Sequence, residues 1–160
     1  MEDTVTPGTS TGTSTPSSDR EAATALVTSW LNLWNGDYAI AEKIISESNR
    51  VHAAMFDGGD GSAVGGVSGM VSFVTQMRSL SSDLVFSIEV GPIIDGDHVV
   101  VRWVAKGHYG GGMPGAGAAV GTALAFRGVD ILRVADGQVV EYWLNADTLD
   151  LMAQLQVGAS

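Results

Sequence analysis

The chain has 160 residues, enough for one domain with a sizeable core, and 45% of them are apolar against 16% charged. A net charge of -10, with eight Lys and Arg in all, argues against nucleic acid, whose phosphates demand clustered cations, and against an anionic membrane surface. With no cysteine, disulfides, thiolate nucleophiles and zinc–thiolate sites are excluded, and His52, His98 and His108 fall in no metal-binding spacing, so no metal is expected.

Residues 1–18 are almost entirely Thr, Ser, Gly and Pro, too poor in apolar surface to offset the entropy of ordering, and are expected to form a disordered tail. The N-terminus has neither a basic start nor an apolar h-region, and no apolar run approaches the ~20 residues that span a bilayer, so a soluble cytoplasmic protein is expected. One domain, residues 19–157, follows. Ser18-Asp19-Arg20-Glu21 has the S-x-x-E form of a capping box, and Ala23, Leu26, Val27, Trp30 and Trp34 recur at helical spacing until Asn35-Gly36 stops the helix. A second helix is predicted over 38–46, a short strand or extended edge over 50–56, a glycine-rich loop over 57–66 and a third helix over 67–80. After that the apolar period becomes two. Strands are predicted at 84–94, 98–108, 122–134 and 138–145, with hairpin turns at Asp95-Gly96 and Asp136-Gly137. A last helix spans about 148–155, with Asp147 as its N-cap and Asp150 at N3, where a carboxylate suits the helix dipole. Three helices, a run of long antiparallel strands and a closing helix make an α+β plan: a curved sheet wrapped over helices, enclosing an apolar chamber.

The stretch GGGMPGAGAAVG, 110–121, has the glycine content of a phosphate loop but not its setting. Such loops follow a strand and open a helix, whose N–H groups face the anion; this one leads into TALAFRGVDILRV, which reads as strand. It is expected instead to be a mobile flap at the mouth of a cavity, with Met113 as its adaptable apolar tip. No cofactor is implied.

Alternation turns a few polar residues toward the chamber. Asp130 shares a strand face with Phe126, Gly128 and Leu132, where desolvation would raise its pKa and suit it to acid–base work; the other reading is a structural carboxylate. Arg102 either faces inward beside Asp130, able to bind a substrate oxygen, or lies in solvent. Tyr142 is placed to donate to a developing oxyanion, and His52 is either an auxiliary cavity residue or structural. Trp34, Phe56, Met70, Phe73, Met77, Met113 and Leu144 are the expected apolar substrate-binding wall.

GVDILRVADGQVVEYWLNADTLDLMAQL, together with WNGD at 34–37 and VVVRW leading to GHYGG, resembles the SnoaL-like polyketide cyclases of the NTF2-like superfamily over about residues 20–157. The resemblance implies a cone-shaped α+β barrel, its mostly antiparallel sheet wrapped over three N-terminal helices, with a short C-terminal helix. It also implies a deep apolar pocket, a homodimer formed through the sheet's outer face, and cofactor-independent ring closure by proton abstraction from an apolar polyketide or isoprenoid-type intermediate of secondary metabolism. Carried onto this sequence, its pocket positions are Asp130 and His52, and Arg102 matches an arginine of related epoxide hydrolases. One position departs: the acid/base aspartate that follows the Trp of E-x-W is Leu144 here, and Tyr142 stands where histidine is frequent. Epoxide opening and ligand binding without turnover are the alternative functions implied.

Overall fold

A computed structural model of the chain describes residues 16–158; most of the expected tail lies outside the described residues. Helix α1 runs Pro16–Trp34 and buries Leu26, Trp30, Leu33 and Trp34 along one stripe. It begins two residues ahead of the predicted cap, with proline in the first turn, where a missing N–H leaves no hydrogen bond unmade. Gly36 (φ 103°) ends it: Gly36 N–H donates to the Leu33 carbonyl and Asp37 N–H to that of Asn32, closing a Schellman turn that needs a left-handed residue.

The second predicted helix is shorter than its sequence suggests. A 3-10 turn at Tyr38–Ile40 leads into α2, Ala41–Ile44, and the chain is already strand at Ile45. Strand β1, Ile45–Ala53, buries Asn49, Val51 and Ala53 in alternation. Ile40, Ile44 and Ile45 lie at helical spacing in too short a window to fix the period, which is why the strand was expected only from 50. Helix α3, Gly66–Arg78, sets Met70, Phe73 and Val74 against the sheet. Strands β2 (Val85–Asp95), β3 (His98–His108), β4 (Ala123–Ala135) and β5 (Gln138–Ala146) match the predicted series, and α4 covers Thr148–Gln154. Asp147 does occupy the α4 N-cap position but makes no side-chain capping bond.

The sheet order is β1-β5-β4-β3-β2, antiparallel except for β1, which lies parallel to β5. Register then decides which residues meet. Asp130 pairs with Val101 and with Leu144, and Leu132 with Val99 and Tyr142, so all of these face the helices. The partners one residue along (Arg102 with Val129, Val100 with Ile131, Ile131 with Trp143) face away from them.

Candidate functional site

The most polar feature of the interior is a carboxylate held by three ring systems. Asp130 is 2% exposed. Its Oδ2 accepts from Trp30 Nε1 at 2.9 Å; its Oδ1 accepts from Trp103 Nε1 at 2.9 Å and from the Tyr142 hydroxyl at 2.9 Å. Burial pushes the Asp130 carboxyl up to about 6, against the pull of the three donors, and burial with the neighbouring carboxylate raises Tyr142 well above the ordinary phenol value. The glycine of the GVD stretch makes this possible. A Cβ at Gly128 would overlap the Trp103 ring and the Asn145 carbonyl, so only glycine lets that indole lie across β4 and reach Asp130.

The chamber expected around Asp130 is filled. Trp30 packs edge-on to Tyr142 at 4.8 Å, Trp34 contacts Phe73 and Phe86, and Trp103 meets Phe86 and Phe126. Trp34 and Met70, expected in the pocket wall, are core residues instead, at 5% and 0% exposure. One open space, the one walled by apolar side chains, lies to one side. A cavity of about 520 Å³ is bounded by the end of β1 and the turn after it, by α3, by the 112–114 segment and by the end of β5. Phe56, Phe73, Met77, Met113 and Leu144 line it as expected; Gln76, Leu80 and Asn145 were not foreseen. Gln76 and Leu80 continue the face of Phe73 and Met77 at i+3 and i+7, so the helical period carried their signal. Asp57 is the one carboxylate in the lining. Asp130 is not part of that lining but sits directly behind it, since Leu144 is its cross-strand partner.

The glycine-rich segment forms one wall. It leads into strand β4 and not into a helix, so the phosphate-loop geometry is not built. Met113 N–H donates to the buried Tyr109 hydroxyl at 3.0 Å, and Gly117 and Ala118 N–H donate to the carbonyls of Gln156 and Leu155. Gly111, Gly112 and Gly115 take positive φ, which holds the Met113-Pro114 tip over the cavity.

The remaining two candidates face outward. Arg102 lies on the opposite side of the sheet from Asp130, where its Nε donates to Glu89 at 2.9 Å; the odd–even register makes a meeting with Asp130 impossible. His52 is absent from that cavity as well; it lines a separate open cleft of about 650 Å³ beside Asn49, Gly59 and Asp60, stacked on Trp143 at 5.1 Å and bonded to Glu141 at 2.9 Å. Glu141 also accepts from Arg133 and pairs with Arg50; led by the His52 hydrogen bond, these partners hold its carboxyl down at about 2. His98 and His108 end β3 in surface pairs with Asp97 and Asp83. Among the described residues no three His, Asp or Glu side chains are arranged to hold a metal ion, and no helix is long and apolar enough to cross a membrane.

The sequence profile of the SnoaL-like polyketide cyclases matches residues 23–155. The chain belongs to that family. No curated protein matches it. Among solved structures, TsrD of Streptomyces laurentii superposes with a TM-score of 0.72 at 23% identity, over 89% of this chain and 98% of that one. A protein of Acidithiobacillus ferrooxidans, provisionally described as a polyketide cyclase, gives 0.74 at 22% identity over 86% and 96%. IdmH of Streptomyces antibioticus, described in the same provisional terms, gives 0.71 at 21% over 84% and 99%. At these identities the likeness establishes the α+β fold of the family, with its five-stranded curved sheet.

Proposed function

We propose that this family member is a cofactor-independent cyclase for an apolar polyketide or isoprenoid-type intermediate, and that it acts chiefly by holding the substrate in a reactive fold. The cavity carries this reading: about 520 Å³ walled by Phe56, Phe73, Met77, Met113 and Leu144, with Gln76, Ser79, Asn145 and Thr148 as neutral hydrogen-bonding groups. Restricting a flexible chain to a near-attack conformer lowers the barrier by several kcal/mol, on the order of 7 for a well-oriented pair. At the position of the family's acid, the wall is Leu144. Acid–base help from Asp130 would therefore pass Leu144 or run through Tyr142, whose hydroxyl is already bonded to Asp130. Arg102 and His52 are assigned no part in the chemistry. Epoxide opening is disfavoured, because the arginine that should stand between two carboxylates is on the other side of the sheet.

Binding without turnover is the second reading, and the nearly uncharged lining is what favours it. Native mass spectrometry of the co-purified ligand, followed by incubation of that ligand with fresh protein, separates the two. Conversion to a ring-closed isomer of equal mass supports the cyclase; an unchanged ligand leaves a binder. A homodimer belongs to the same proposal. Val90 and Ile93 are exposed, and Val100, Val129, Ile131 and Trp143 form an apolar stripe on the outer face of the sheet. Sedimentation of the wild type against Ile131→Asp tests it.

A further inference from the structure

The interior buries three indole N–H groups, of Trp30, Trp34 and Trp103, and beside them the phenol of Tyr142. Trp30 Nε1, Trp103 Nε1 and the Tyr142 hydroxyl converge on Asp130. The third indole does not. Trp34 Nε1 is buried and no protein group among the described residues accepts its hydrogen bond. An indole N–H can only donate, so it is left unsatisfied unless an acceptor reaches it, and native interiors seldom leave such a group so.

The location of Trp34 says where an acceptor would come from. Its ring is surrounded by Trp30 at 6.4 Å, Phe86 at 5.2 Å and Phe73 at 5.8 Å. Trp30 and Phe86 belong to the packed core, whereas Phe73 is itself part of the cavity wall. Phe73 thus touches both the Trp34 ring and the proposed substrate space. Resting on the cyclase reading above, we infer that Trp34 Nε1–H anchors a carbonyl oxygen of the bound molecule, reached when the Phe73 ring turns aside, and so selects for ligands carrying a ketone or quinone at their buried end.

The chemistry of the surroundings narrows the acceptor. The rings of Trp30, Phe73 and Phe86 around Trp34 carry no charge, and the nearby Arg78 guanidinium is engaged with the backbone carbonyls of Trp34 and Leu84, so a carboxylate or phosphate at Trp34 Nε1 would be desolvated without a free partner. A hydroxyl would bring a donor of its own that also needs an acceptor. A neutral carbonyl satisfies the indole and asks for nothing further. Trp34 is in this sense a positioning and specificity residue: it fixes which end of a flat, oxygenated ring system enters first, and with it which carbons lie near Leu144 and Asn145.

Two flat tricyclic probes that differ in a single carbonyl, 9-fluorenone and fluorene, test this. The indole ¹⁵N–¹H signals of the full chain, assigned by triple-resonance spectra, are followed alongside the Met77 and Met113 methyl signals. The expected result is that both probes perturb the methyls, that only fluorenone moves the Trp34 signal downfield, and that Trp30 and Trp103 stay in place. Trp34→Phe, which keeps the ring and loses the N–H, is expected to weaken fluorenone about tenfold and fluorene not at all. Methyl shifts with both probes but an unmoved Trp34 signal would overturn the anchor and leave the cavity reading standing. If neither probe perturbs the methyls, the cavity reading falls and the anchor with it. The wild-type spectra decide the question even if Trp34→Phe fails to fold.

Discussion

Replacing Asp130 with Asn tests the central cluster through pH. The native carboxyl titrates near 6, its ordinary value being 3.8. Between those values the folded protein holds a proton that the unfolded chain has released, so stability falls as pH rises through that window and is level above it. At ~1.4 kcal/mol per pH unit, the loss from this one group is about 3 kcal/mol. Asn keeps the shape and loses the titration. Its carbonyl oxygen would retain Trp103 and Tyr142, while its amide nitrogen would face Trp30 Nε1 donor to donor, a mismatch of about 1–3 kcal/mol. Urea unfolding of both proteins, followed by tryptophan emission from about pH 3.5 to 7.5, gives the difference in stability at each pH. That difference should shift by about 3 kcal/mol in favour of the variant between pH 4 and 6 and stay flat above. A difference that is the same at every pH would refute the burial argument, since subtracting the two proteins cancels every other titrating group.

Four other outcomes are expected. Gly128→Ala should lower stability by about 2–3 kcal/mol in urea unfolding, because the added methyl displaces the Trp103 ring from Asp130. Met77→Trp should fill the cavity, leaving the fold intact by circular dichroism while the co-purifying ligand disappears from native mass spectra. Arg102→Ala should keep turnover of that ligand within about twofold, since the side chain lies across the sheet from the cavity and pairs with Glu89. Glu141→Gln should remove part of the acid sensitivity. Its carboxyl is held low in the native state, so its stabilisation is full above the ordinary value of 4.5 and is lost as pH falls toward 2, a window read by acid unfolding curves.

Strands β2, β3 and β4 and the helices α1 and α3 were legible because their periods are sustained over eleven or more residues, and the nine-residue β5 because a hairpin turn sets it against β4. Alternation in VDILRV was enough to turn Asp130 inward, and the same alternation in VVVRWV was not enough to orient Arg102. There both faces carry valine, and only pairing with β4 breaks the tie. The cavity wall was half legible. Phe73 and Met77 announce a face, but whether an aromatic lines space or fills it depends on what arrives from elsewhere in the chain. Trp34 and Met70 met partners that closed over them, whereas Met113 was carried to the cavity by a loop whose path no local pattern encodes. The wrapping of Asp130 by Trp30 and Trp103 was hidden for the same reason: the residues are 100 and 27 positions distant.

The backbone bonds from Gly117 and Ala118 to Gln156 and Leu155 have a practical side. They splice the residues that follow α4 to the segment roofing the cavity, so a load applied at residues 155–156 is carried into that roof. A fluorophore attached beside that splice would be a convenient reporter of roof movement when the cavity is filled.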